Sequence, residues 1–114
     1  MNRYKLSKAG VDVEQGLNRV GYSKEFYESL LKKFCEDDYY EQLKSALKQE
    51  ECQEAFRYAH TLKGISGNLS MTRLYNAIAP LVEELRKGNL ANAQALFPEV
   101  EAAYEVLMDV LKNM

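Results

Sequence analysis

The chain has 114 residues, 46% hydrophobic and 28% charged, a composition that reads as one ordinary globular domain and excludes disordered or collagen-like chains. Fifteen Lys and Arg stand against seventeen Asp and Glu, a net charge of −2, which argues against a general nucleic-acid binder. No apolar run approaches the roughly 18 residues of a membrane span, and the polar opening Met1-Asn2-Arg3-Tyr4-Lys5 is no signal peptide, so no membrane partner and a cytoplasmic location are expected. Cys35 and Cys52 lack metal-ligand spacing and the chain has one His, so no metal site is expected. The cysteines read as reduced.

Helical periodicity runs through almost the whole chain. Residues 1–10 are expected to be a flexible lead-in. Asp12-Val13-Glu14-Gln15 reads as a capping box, with Asp12 capping and Gln15 reaching back, and Val13, Leu17 and Val20 line the short helix that Gly21 stops. Ser23 caps a second helix with Phe26, Tyr27, Leu30, Leu31 and Phe34 as its apolar residues, interrupted at Glu36-Asp37-Asp38. A third carries Tyr39, Leu43, Ala46 and Leu47 inward and ends at Gln49-Glu50-Glu51. In the fourth, from Cys52 to Leu69, a small-sided seam of Cys52, Ala55, Ala59, Leu62, Ser66 and Leu69 recurs at alternating steps of three and four. The fifth runs from about Thr72 to Lys87, with Leu74, Ile78, Leu81 and Leu85 inward and a kink expected at Pro80. After Gly88-Asn89 the last helix follows, with Pro98 bending it or marking its true start. The pattern predicts an all-α protein: an antiparallel four-helix bundle with one or two short N-terminal helices packed on it, residues 1–114 forming a single domain.

His60 stands off the apolar seam. At about 100° per residue it points some 160° away from Leu62, towards Phe56, Arg57, Lys63, Gly64 and Gly67. Two glycines one turn apart each cost roughly 1 kcal/mol against alanine in a helix interior, and on the His side they leave bare ground beside the imidazole. Spacing alone leaves two readings open. Either a large partner must approach His60, or His60 is an ordinary surface residue and the glycines serve close helix packing. The tyrosines, eight in all, read as residues at the core edge, although Tyr39, Tyr40, Tyr58 and Tyr75 also suit a docking surface.

Ala59-His60-Thr61-Leu62-Lys63-Gly64, continued by Ser66-Gly67-Asn68-Leu69 and Leu74, resembles the signature of the histidine-containing phosphotransfer (HPt) domain family. The stretch Val13 to Leu17, and Tyr27, Leu30, Leu31 and Phe34, resembles that family's N-terminal portion, so the likeness spans about residues 11 to 112. The resemblance implies a four-helix bundle whose His60 accepts a phosphoryl group from a receiver-domain aspartate and passes it to another receiver. It implies Lys63 as the neutraliser of phosphoryl oxygens, Gly64 as the access point for the receiver, and Arg57, Phe56 and Gly67 as a candidate docking surface. The implied partners are response-regulator receiver domains and an upstream hybrid histidine kinase. The chain itself would bind no cofactor, because Mg²⁺ belongs to the receiver, and it would work as a monomeric carrier, not an enzyme. Two other roles stay open: the phosphoacceptor module of a chemotaxis-type or hybrid histidine kinase, and a non-catalytic helical scaffold. The opening at Met1 leans towards a free-standing protein. Two positions depart from the family pattern. Ser70 stands where Gly is common, and Val82 where a polar Glu or Gln often holds the imidazole.

Overall fold

Short polar side chains start the helices where their spacing predicts. In the computed structural model, which describes residues 1–114, Asp12, Ser23 and Asn89 accept hydrogen bonds from the amides of Gln15, Phe26 and Asn92. Seven helices result: α1 (Arg3–Lys8), α2 (Val13–Arg19), α3 (Lys24–Glu36), α4 (Tyr39–Lys48), α5 (Cys52–Asn68), α6 (Thr72–Arg86) and α7 (Leu90–Lys112). There is no strand, and the fold is an all-α helical bundle. No helix is long and apolar enough to cross a membrane.

Short connections make α4 to α7 neighbours in sequence and in space. Packing is most extensive between α4 and α5, α5 and α6, and α6 and α7, and α7 returns to touch α4. Two polar contacts join these outer helices: Gln94 donates from Nε2 to the Leu47 carbonyl at 2.8 Å, and Lys44 pairs with Glu101 at 3.1 Å. Aromatic rings fill the space between α3, α4 and α7. Tyr40 stacks on Tyr104 with centroids 3.7 Å apart and lies 5.7 Å from Phe97, while Phe34 tilts against Tyr104.

The N-terminal part is larger and better packed than its sequence suggests. The expected flexible lead-in instead forms α1, capped by Asn2, with Leu6 fully buried and Ala9 nearly so. Burying one leucine side chain contributes roughly 2 kcal/mol, and the burial of Ala9 and Val11 beside it adds to the hold of α1 on the bundle. Two short helices, α1 and α2, lead the chain, and α3 after them is 13 residues long. Phe26, one of the apolar residues of α3, is half exposed. Gly16 lets α2 and α3 close together, since a Cβ at that position would run into the Tyr27 ring.

The two prolines do not end helices. α6 continues through Pro80, and α7 begins at Leu90 and passes through Pro98, so Pro98 is not its start. Only half of the predicted capping box forms. Asp12 caps Gln15, but the Asp12 amide donates to the Ser70 carbonyl at 2.8 Å, and the Gln15 side chain takes a hydrogen bond from Ser70 Oγ at 2.9 Å instead of reaching back. A partner in the turn between α5 and α6 displaces the local one.

Candidate functional site

The seam of α5 buries Ala55, Ala59, Leu62 and Ser66, and this fixes the opposite face outward. His60 stands on that outer face, exposed, in the middle of a helix whose register is set by its buried side. Its ring tilts against Phe56, one turn earlier, with centroids 5.7 Å apart. The Arg86 guanidinium lies 5.1 Å over the same Phe56 ring, and its Nε is 3.5 Å from Glu83. The imidazole makes no hydrogen bond with another side chain or with the backbone. Val82 is fully buried in the core and Glu83 is paired with Arg86, so neither orients His60.

Beside the imidazole lies an open cleft of about 510 Å³, walled by the end of α5, the start of α6 and one face of α2. His60, Lys63, Gly64 and Gly67 line it from α5, Tyr75 from α6, and Gln15 and Arg19 from α2. No carboxylate lines it. Lys63 is half-buried, with its ammonium 5.8 Å from the Tyr75 ring centroid, and makes no ion pair. The cleft is therefore an electropositive hollow with one nucleophile at its edge.

The two glycines differ. A Cβ at Gly64 would meet nothing within 4 Å, so the ground beside His60 is open there. A Cβ at Gly67 would stand 3.1 and 3.2 Å from two Tyr75 ring carbons. Gly67 thus serves the close seating of Tyr75 as well as lining the cleft. Arg57 stands elsewhere on the exposed face of α5. Its guanidinium is hydrogen-bonded to the Glu54 carboxylate, which holds its pKa above the ordinary value, and it lies 4.8 Å over the Tyr58 ring, outside the cleft. Phe56 touches His60 but lines a neighbouring groove with Cys52 and Arg86.

Helix α5 ends in a Schellman turn. The Met71 amide donates to the Ser66 carbonyl at 2.8 Å and the Ser70 amide to the Gly67 carbonyl at 3.2 Å. Ser70 occupies the left-handed position with φ 57°, the place where glycine is usual. Its hydroxyl bond to Gln15 supports that conformation, so the departure at Ser70 leaves the helix end intact. Gln15 and Arg19 were missed as cleft residues. They lie more than forty positions before His60, and no local pattern points from one to the other.

A comparison with protein-family models matches residues 29–110 to the model described as Hpt domain. The chain belongs to the Hpt domain family. Hpt domains are histidine phosphotransfer modules of two-component signalling, phosphocarriers that work with receiver domains and histidine kinases. No curated protein and no solved structure matches the chain. The Hpt match contains His60, Lys63 and Gly64 and leaves out α1, α2 and with them Gln15 and Arg19.

Proposed function

We propose that His60 is the phosphoacceptor of this Hpt domain, taking a phosphoryl group from the aspartyl phosphate of one receiver and yielding it to the aspartate of another. The observation that carries this reading is the exposed imidazole of His60 at the edge of a cleft with Lys63 and without carboxylates, next to a glycine with nothing above it. A lone pair on a neutral imidazole nitrogen attacks phosphorus. The N–P bond forms as the P–O bond of the acyl phosphate breaks, and its electron pair stays with the receiver's carboxylate. The ring keeps the proton on its other nitrogen. Such a transfer depends mainly on in-line positioning and charge stabilisation.

Gly64 admits the receiver to the helix face, Lys63 offsets charge on the phosphoryl oxygens, and Phe56 offers a ring to the incoming partner. Mg²⁺ and the acidic cluster that holds it belong to the receiver. The chain is then a cytoplasmic, monomeric carrier within one domain spanning residues 1–114, its α4 to α7 forming the four-helix core, with an upstream hybrid histidine kinase as the source of phosphate.

Incubation with a phosphorylated receiver and Mg²⁺ tests this. One phosphoryl group per chain is expected, labile to acid and stable to base, and His60→Gln should abolish it without changing the circular dichroism spectrum. Labelling that survives in His60→Gln would place the acceptor elsewhere. ATP and Mg²⁺ alone should give no label.

A further inference from the structure

We infer that Arg19, reaching in from α2, is the second cation of the phosphoryl site and acts with Lys63 on the group carried by His60. The inference rests on His60 being the acceptor. Arg19 and Lys63 are the two permanent positive charges lining the cleft, from opposite walls, and neither is engaged by a carboxylate. Arg57, by contrast, is held by Glu54 and lies outside. A phosphoryl group brings about −1.5 to −2 charge to this hollow. Lys63 alone cannot balance it, and a guanidinium presents a planar fork of donors suited to phosphoryl oxygens.

Packing of α2 sets where the Arg19 backbone stands. It lies one turn after Gln15 on the same face of α2, and Gln15 is tied to Ser70 at the floor of the cleft. The Asp12 amide bonds the Ser70 carbonyl, and Gly16 sits under the ring of Tyr27, whose hydroxyl donates to the Leu69 carbonyl at 2.7 Å. Helix α2 is thus anchored to the turn after α5, and its last residue lines the cleft that His60 also lines. Arg19 itself is exposed and makes no hydrogen bond, so nothing in the fold depends on its charge except the end of its own helix.

The test loads the full chain with phosphoramidate, whose P–N bond breaks to release ammonia as the N–P bond to His60 forms. Wild type, Arg19→Gln, Arg19→Lys and Lys48→Gln are compared; Lys48 is an exposed cation in the last turn of α4, away from the cleft. Two readouts are followed: the titration of the phosphoryl group by ³¹P NMR, and the equilibrium of transfer to a receiver. Arg19→Gln should raise the phosphoryl pKa and shift the equilibrium about threefold to fivefold towards the receiver, as expected for losing one partly exposed ion pair. Arg19→Lys should recover most of both effects and Lys48→Gln should show neither. If Arg19→Gln behaves as wild type, or if Lys48→Gln shifts both readouts equally, the inference falls while His60 stands as acceptor. If wild type takes up no phosphoryl group on His60, the acceptor reading itself falls and the inference with it.

Discussion

Tyr75 lies against Gly67, its ring carbons 3.1 and 3.2 Å from where a Cβ would stand, whereas the space over Gly64 one turn earlier is empty. Removing a helix-interior glycine stabilises by up to about 1 kcal/mol when nothing is displaced. Gly64→Ala should therefore raise the denaturant midpoint, and Gly67→Ala should raise it less or lower it, because the Tyr75 ring must give way. On the proposed function, Gly64→Gln should keep its stability and lose phosphoryl transfer. A drop in stability with transfer per folded molecule unchanged would place Gly64 in a packing role.

Ser70 combines a left-handed backbone with a hydroxyl bond to Gln15. Ser70→Ala keeps the unfavourable backbone and removes the bond, so it should destabilise by about 1 kcal/mol. Ser70→Gly loses the same bond but relieves the backbone, and should lie closer to wild type. Urea unfolding of the two variants side by side checks the order.

Tyr40 is buried, stacked on Tyr104, and its hydroxyl has no hydrogen-bond partner. An unsatisfied buried polar group costs about 1–3 kcal/mol. Tyr40→Phe keeps the stacked ring and removes the orphan oxygen, so its melting temperature should equal or exceed that of wild type. A marked fall would mean that the hydroxyl is satisfied in solution.

Burial pushes the Tyr27 hydroxyl up to about 12, helped by nearby Asp12, and burial pushes Tyr104 up to about 12 as well. A tyrosine that holds its proton more tightly when folded contributes stability that is fully present below its unfolded pKa of about 10 and is lost as pH climbs towards 12. Denaturation midpoints should therefore fall as pH rises above about 10, and the fall should be shallower in Tyr27→Phe. Equal slopes in the two proteins would exclude Tyr27 as a contributor.

Local chemistry was readable in the sequence. The caps at Asp12, Ser23 and Asn89 act on amides three residues away, and the seam of α5 repeats often enough to fix which side faces out. From these the helices α2 to α7 and the outward direction of His60 follow. What escaped depends on contacts distant in sequence. Helix α1 has one buried leucine in six residues, too few to show a period. Gly64 and Gly67 look alike as letters, and only the arrival of Tyr75 separates them. Gln15 satisfies every condition of a capping box, yet a buried serine 55 residues away draws its side chain instead. The cleft escaped for the same reason, since Arg19 enters it from an element outside the motif.

The turn at Leu69–Met71 is tied by three residues: Tyr27 donates to the Leu69 carbonyl, the Asp12 amide donates to the Ser70 carbonyl, and the Ser70 hydroxyl donates to Gln15 Oε1. The Arg73 amide then returns to the Gly10 carbonyl. Releasing the links at Leu69 or Ser70 leaves a polar group of a buried residue without its partner. The amides of Asp12, Met71 and Arg73 should accordingly exchange with solvent through one shared opening. Fraying at the N-terminus and loosening of the cleft floor are then a single event, and a ligand that quiets one quiets the other.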